Sequence, residues 1–183
     1  MISNDDCIRV KTQATSTLVS FLKALFSKED GIETEFLDMI KPYSKQLLEV
    51  ITSSFEFSIK ANYFPLQEET LNALSLLATI LDEDFAEFYP SIMPGLKQFL
   101  YNLQPSTLQQ SELKAKAIET ISELCSSVAN KPDKFIQDFK ELAEAFGKIF
   151  GSLKEDDVQV KAVLDVIIKN NFIIRLSYIF LLE

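Results

Sequence analysis

The chain has 183 residues, 27 of them acidic and 18 basic, which gives a net charge of −9, and it contains no histidine. The negative charge argues against a nucleic-acid partner, because phosphate backbones are bound by basic surfaces, and it favours basic protein segments instead. The absence of histidine excludes Ser-His and Cys-His catalysis and imidazole-dependent zinc sites. The four glycines are not spaced to form a phosphate-binding loop. We therefore expect no enzymatic activity, no cofactor and no metal.

The composition predicts an all-α fold, because glycine and proline are scarce while good helix formers dominate. The helices are predicted to alternate between two types, which we name B and A. In chain order, the predicted elements are B (about 6–27), A (33–57), B (65–81), A (84–102), B (111–129), A (132–152) and B (156 to about 180).

The B helices share apolar or small residues at positions i, i+4 and i+8, which lie on one helical face. The four sets are Val10, Ala14, Leu18; Leu66, Thr70, Leu74; Leu113, Ala117, Ile121; and Val158, Ala162, Val166.

The A helices carry a longer apolar stripe at i, i+4, i+7, i+11, i+14 and i+15. Its members are Phe36, Ile40, Tyr43, Leu47, Val50, Ile51; Phe85, Tyr89, Ile92, Leu96, Phe99, Leu100; and Phe135, Phe139, Leu142, Phe146, Ile149, Phe150. Two alternating helix types that recur in this way are typical of HEAT repeats.

The fold prediction is therefore a HEAT-repeat α-solenoid, a right-handed superhelix of antiparallel helix pairs that extends over residues 1–183. It comprises about three full repeats after a leading B helix, with residues 168–183 as a divergent tail. Because the first and last B helices have no A partner, we expect an internal or truncated piece of a longer array that self-associates.

The prolines fall into two groups. Pro65 is predicted at the start of a B helix and Pro105 in a connection, where proline is tolerated. Pro42, Pro90 and Pro94 lie within A stripes, so we expect them to bend those helices by removing backbone donors.

Compartment follows from the termini and the cysteines. Cys7 and Cys125 do not form a disulfide framework or a metal-binding pair, and the N-terminus lacks the pattern of a secretion signal. The apolar segment Phe172–Leu182 is too short to span a bilayer. We expect a protein of the cytoplasm or nucleus with no membrane partner.

Residues 64–88 contain six acidic and no basic residues. This stretch is either a solvated surface or a contact for a basic segment, since clustered carboxylates attract basic partners. Residues opposite the apolar stripe of the B helices should face the inner side of a superhelix. The predicted protein-binding residues are Glu68, Glu69, Asn72, Ser75, Glu119 and Ser122.

Three segments resemble the karyopherin-β (importin-β) family of nuclear transport receptors, with its importin beta-3 branch as the nearest part of the family. They are Ile8–Phe21, Phe88–Lys97 and Leu113–Ser122. The resemblance implies a non-enzymatic HEAT protein that moves between cytoplasm and nucleus. It also implies three kinds of partner: basic cargo proteins on the B-helix side, the Ran GTPase in its GTP form, and phenylalanine-glycine nucleoporins on the A-helix side.

A second interpretation is a HEAT-repeat scaffold subunit of a phosphatase, condensin-like or translation-related assembly. The helical pattern does not separate it from a transport receptor, because the two share the fold. A small enzyme is disfavoured by the missing catalytic residue types.

Overall fold

A computed structural model describes residues 7–26 and 38–128, together with the helical positions Asp138, Glu141, Leu142, Glu144, Ala145 and Lys148. The described part of the chain is helical and contains no strand, which confirms the all-α prediction. The fourth B helix, most of the third A helix and the tail at 168–183 lie outside the described residues.

Within this part, the α-helices are α1 (Ile8–Phe26), α2 (Ser44–Lys60), α3 (Phe64–Leu81), α4 (Tyr89–Asn102) and α5 (Leu108–Ser127). Short 3-10 helices, Lys41–Tyr43 and Asp82–Glu87, precede α2 and α4. In the nomenclature above, α1, α3 and α5 are B helices, and α2 and α4 are A helices.

The chain divides into two compact units, residues 1–82 and 83–183. In the first unit, α3 packs against both α1 and α2. The predicted stripe of α3, formed by Leu66, Thr70 and Leu74, is buried as expected. Contact of one B helix with its own A helix and with the preceding B helix is the arrangement that stacked helical repeats require.

The buried face of α1 differs from the predicted one by one residue. Lys11, Thr15, Val19 and Leu22 are buried, whereas the predicted residues Val10, Ala14 and Leu18 are half-buried. Only 6% of Lys11 is exposed, and its Nζ lies 5.2 Å from the centre of the Phe57 ring. A cation over an aromatic face, with an aliphatic stem packed beneath it, lets lysine occupy a position that a hydropathy pattern assigns to solvent.

The first A helix is interrupted where Pro42 lies. The 3-10 helix Lys41–Tyr43 separates helical residues 38–40 from α2, and Tyr43, predicted in the core stripe, is 61% exposed. Ile40 and Ile51 of the same stripe are buried. Proline removes a backbone donor, so the interruption agrees with the prediction for Pro42.

The prediction for Pro90 is wrong, because this residue lies in the first turn of α4, where a missing N–H leaves no helical hydrogen bond unmade. Pro94 does lie inside α4. Pro65 occupies the first turn of α3 and Pro105 the connection before α5, both as predicted.

A tight turn joins α2 to α3 and explains how the two helices become antiparallel neighbours. Asn62 adopts a positive φ of 49°, while the Tyr63 amide donates to the Ser58 carbonyl over 3.0 Å. The Asn62 amide donates to the Ile59 carbonyl, also over 3.0 Å. These bonds form a Schellman motif. The buried Gln67 side chain donates to the same Ser58 carbonyl at 3.0 Å, which fixes the start of α3 to the end of α2.

In the second unit, α4 packs against α5. The A stripe from Phe85 to Leu100 is buried except for Phe99, which is half-buried, and the B stripe Leu113, Ala117 and Ile121 is buried throughout. Thr107 caps the start of helix α5, since its hydroxyl accepts a hydrogen bond from the backbone amide of Gln110 at 3.2 Å.

The buried hydroxyl of Ser54 on α2 has no hydrogen-bond partner in the described part of the chain. We expect Ser54→Ala to raise the free energy of unfolding by about 1 kcal/mol, because it removes the cost of burying an unsatisfied polar group. The matched control is Ser58→Ala, since the buried Ser58 hydroxyl donates to the Phe55 carbonyl at 2.6 Å. Urea unfolding measures both variants. If Ser54→Ala lowered the free energy of unfolding as much as Ser58→Ala does, the assignment of Ser54 as an unsatisfied buried hydroxyl would be contradicted.

Candidate functional site

The predicted protein-binding residues on α3 lie at its start and middle. Glu68 is exposed, Glu69 and Asn72 are half-buried, and Ser75 is buried at 6% exposure. Positions 68, 72 and 75 share one helical face, whose exposure falls along the helix. The first two turns of α3 therefore carry the accessible carboxylates, whereas the Ser75 side chain is buried. The contact with a partner stays a prediction.

On α5, the predicted residues are Glu119 and Ser122. Glu119 is half-buried and its carboxylate lies 2.8 Å from the Lys116 ammonium, one helical turn earlier. Ser122 is fully buried at 0% exposure. The charge of Glu119 is thus partly balanced within its own helix, although such surface pairs contribute only about 0.5 kcal/mol. These two residues belong to the second unit, whereas those on α3 belong to the first.

The acidic segment Asp82–Glu87 forms a 3-10 helix whose four carboxylates, from Asp82, Glu83, Asp84 and Glu87, are exposed. Its two remaining residues, Phe85 and Ala86, are buried at 1% exposure or less. The buried Phe85 anchors the segment, so the carboxylates are held on an ordered surface. Ordered like charges produce a local negative potential that attracts basic segments.

Sequence reasoning missed an ion-pair network in the second unit. The Lys97 ammonium on α4 lies 2.8 Å from the Asp138 carboxylate and 2.6 Å from that of Glu141. The Tyr101 hydroxyl donates to Glu141 at 3.1 Å. These contacts join α4 to helical positions 41 and 44 residues beyond Lys97. Pairing across such separations depends on packing and leaves no local signal in the sequence.

The network shifts the pKa values of Glu141, Lys97 and Tyr101. Hydrogen bonding from Lys97 lowers the pKa of Glu141. Burial alone would lower the pKa of Lys97, but hydrogen bonds to Asp138 and Glu141 outweigh it and raise the pKa. Burial and the bond to Glu141 raise the pKa of Tyr101 to about 12. All these groups therefore keep the protonation state that the network needs at neutral pH.

Cys125 is buried and its sulfur lies 3.8 Å from the Tyr89 hydroxyl. Burial raises the pKa of the Cys125 thiol to about 12 and that of Tyr89 well above its usual range. A thiol in this state is neutral and enclosed, so this pair has a packing role.

An open cleft of about 410 Å³ lies beside the ion-pair network and is formed within the second unit. Its lining consists of Leu100, Tyr101, Gln104, Lys114, Glu141, Glu144, Ala145 and Lys148. Burial lowers the pKa of Lys114, which faces this cleft from α5. The cleft therefore combines an apolar floor with charged groups of both signs, and the sequence analysis identified none of its lining as a site.

Among the described residues, no group of three or more cysteine, aspartate or glutamate side chains is arranged to hold a metal ion. None of the described helices is both long enough and apolar enough to cross a bilayer.

We expect Lys97→Gln to lower the free energy of unfolding at pH 7 by about 1–2 kcal/mol, because two carboxylates lose a partly buried partner. The lowered pKa of Glu141 means that this stabilisation is present above the ordinary carboxyl pKa of 4.5 and is lost as pH falls below it. Urea unfolding at pH 7 and pH 3 measures the difference. The control is Lys116→Gln, which removes a surface pair and should change stability by about 0.5 kcal/mol or less. Equal effects of the two variants at pH 7 would contradict this role for Lys97.

Comparison with known proteins gives a partial similarity to a curated protein. The chain is 28% identical over 128 residues to a probable importin-5 homolog from Dictyostelium discoideum. The match covers 69% of this chain and 12% of that protein, so the chain spans only a small part of its relative. No family model and no solved structure matches the chain. The similarity supports the karyopherin-β resemblance at the level of the family, while the importin beta-3 branch stays a prediction.

Proposed function

We propose that this chain forms part of a nuclear transport receptor of the karyopherin-β type, with no enzymatic activity of its own. The observation that carries the proposal is the 128-residue similarity to a probable importin-5 homolog. It is supported by the contacts of α3 with both α1 and α2, the arrangement expected of adjacent HEAT repeats. The same proposal includes the right-handed HEAT-repeat solenoid that the sequence analysis predicts.

Basic cargo would be recognised through charge rather than through a deep pocket. Glu68 lies exposed on α3, with Glu69 half-buried beside it. The chain as a whole carries a charge of −9, which increases the encounter rate with lysine-rich segments. Individual exposed carboxylates contribute little to affinity, so binding is expected to be weak and to fall as salt screens the charges.

The other proposed partners are Ran in its GTP form and phenylalanine-glycine nucleoporins, in a protein of cytoplasm and nucleus. These follow from the family resemblance, and no residue of this chain is assigned to them. The alternative, a HEAT scaffold outside transport, shares the fold and differs in its partners. Preference of the chain for GTP-loaded over GDP-loaded Ran would favour transport, and equal binding or none would favour the scaffold.

The electrostatic contact is tested by titrating a fluorescent lysine-rich import-signal peptide into the chain and following anisotropy. We expect the double variant Glu68→Gln/Glu69→Gln to weaken binding about fivefold at low salt, with a smaller difference at 0.5 M salt. The matched control, Glu49→Gln/Glu56→Gln, removes the same charge from exposed positions on α2. If both double variants weaken binding equally, the effect comes from net charge alone. Unchanged affinity in Glu68→Gln/Glu69→Gln would contradict the proposed contact.

A further inference from the structure

The open cleft in the second unit is lined by charged groups that take no part in the proposed cargo contact. Glu141 is already engaged, because its two carboxylate oxygens accept from Lys97 and Tyr101. Glu144 and Lys148 are exposed residues of opposite charge that also line the cleft, so together they add no net charge to it. Lys114 approaches from another helix, α5, and has no acidic partner among the described residues.

The surroundings of Lys114 are suited to a ligand that is only partly polar. The cleft is lined by Leu100, which is buried, by Ala145, which is half-buried, and by Tyr101, which is 39% exposed. Burial lowers the pKa of Lys114, so its ammonium is incompletely solvated. A cation that has lost part of its water shell gains more from a ligand carboxylate than a fully solvated one does.

The size and the openness of the cleft favour a peptide over a free small molecule. Its volume of about 410 Å³ lies within the range of ligand sites and accommodates one or two side chains. Because the cleft is open, a longer chain can continue from it on the surface. The partly buried Lys114 ammonium beside apolar walls then corresponds to an acidic side chain with apolar neighbours.

We propose that this cleft binds an extended segment of a partner protein, with a glutamate or aspartate carboxylate on the Lys114 ammonium and an adjacent apolar side chain over Leu100 and Tyr101. The site has the opposite charge preference to the carboxylates of α3, and it does not depend on a role in nuclear transport. It assigns to the second unit a contact with acidic segments, alongside the basic segments expected from the net charge.

The test uses the 183-residue chain with its lysines dimethylated with ¹³C, a modification that keeps their charge, and follows Lys114 by NMR. The probe is the capped peptide Gly-Leu-Glu-Leu-Gly, and the comparison peptide has Gln in place of Glu. We expect a saturable shift of the Lys114 signal with the Glu peptide, a rise in the Lys114 pKa on binding, and affinity at least about fivefold weaker for the Gln peptide.

Variants separate the site from general electrostatics. Lys114→Gln should weaken the binding of the Glu peptide at least about fivefold. The binding is measured on unlabelled protein by the line broadening of the peptide signals. Lys114→Arg should retain most of the affinity, and so should Lys116→Gln, which removes a lysine that pairs with Glu119 on the same helix. Circular dichroism confirms that each variant is folded. The proposal is overturned if the Gln peptide binds equally, if acetate alone reproduces the shift at the same concentration, or if Lys114→Gln binds as the unaltered chain does.

Discussion

The first unit depends on the packing of α3 against two helices at once. Between Leu66 and Leu81, few residues of α3 are exposed to solvent, and Leu66, Leu71 and Leu77 are fully buried. A helix with one neighbour needs a single apolar stripe, but a helix between two neighbours needs a broad apolar arc. Polar residues on that arc must bond internally. Thr70 does so by donating to the Leu66 carbonyl at 2.8 Å, and Gln67 does so through Ser58.

Much of this arrangement was accessible from the sequence, because repeated helices leave repeated patterns. The stripes of α3, α4 and α5 were predicted almost residue by residue, and so were the positions of Pro65 and Pro105. These features are local, since they depend on helical periodicity and on the missing proline N–H. The pattern also separated the two helix types before any contact between them was known.

The features that sequence reasoning missed depend on tertiary contacts. Lys11 is buried with its ammonium over the Phe57 ring. Tyr43 is a local exception, since it is exposed in the 3-10 helix that also contains Pro42. The network around Lys97 joins residues more than 40 positions apart. The burial of Ser75 likewise reflects the packing of α3 against both α1 and α2, which a single stripe does not describe.

The two surfaces to which we assign partners have different chemistry. The contact that we propose for the carboxylates of α3 acts at long range and is weak. The contact that we propose for Lys114 is short-range and is strengthened by the reduced solvation of the cleft. Both surfaces depend on the packing of the helices that carry them. In the first unit, that packing depends on α3.

Amide hydrogen exchange followed by mass spectrometry tests the central place of α3 most directly. Amides exchange slowly where opening a helix requires disruption of many packed neighbours. If α3 packs on both α1 and α2, its peptides from residues 66–80 should exchange more slowly than those of α1 and α2 in the same molecule. Exchange in α3 as fast as in α1 would contradict the account of the first unit as two adjacent repeats joined through this helix.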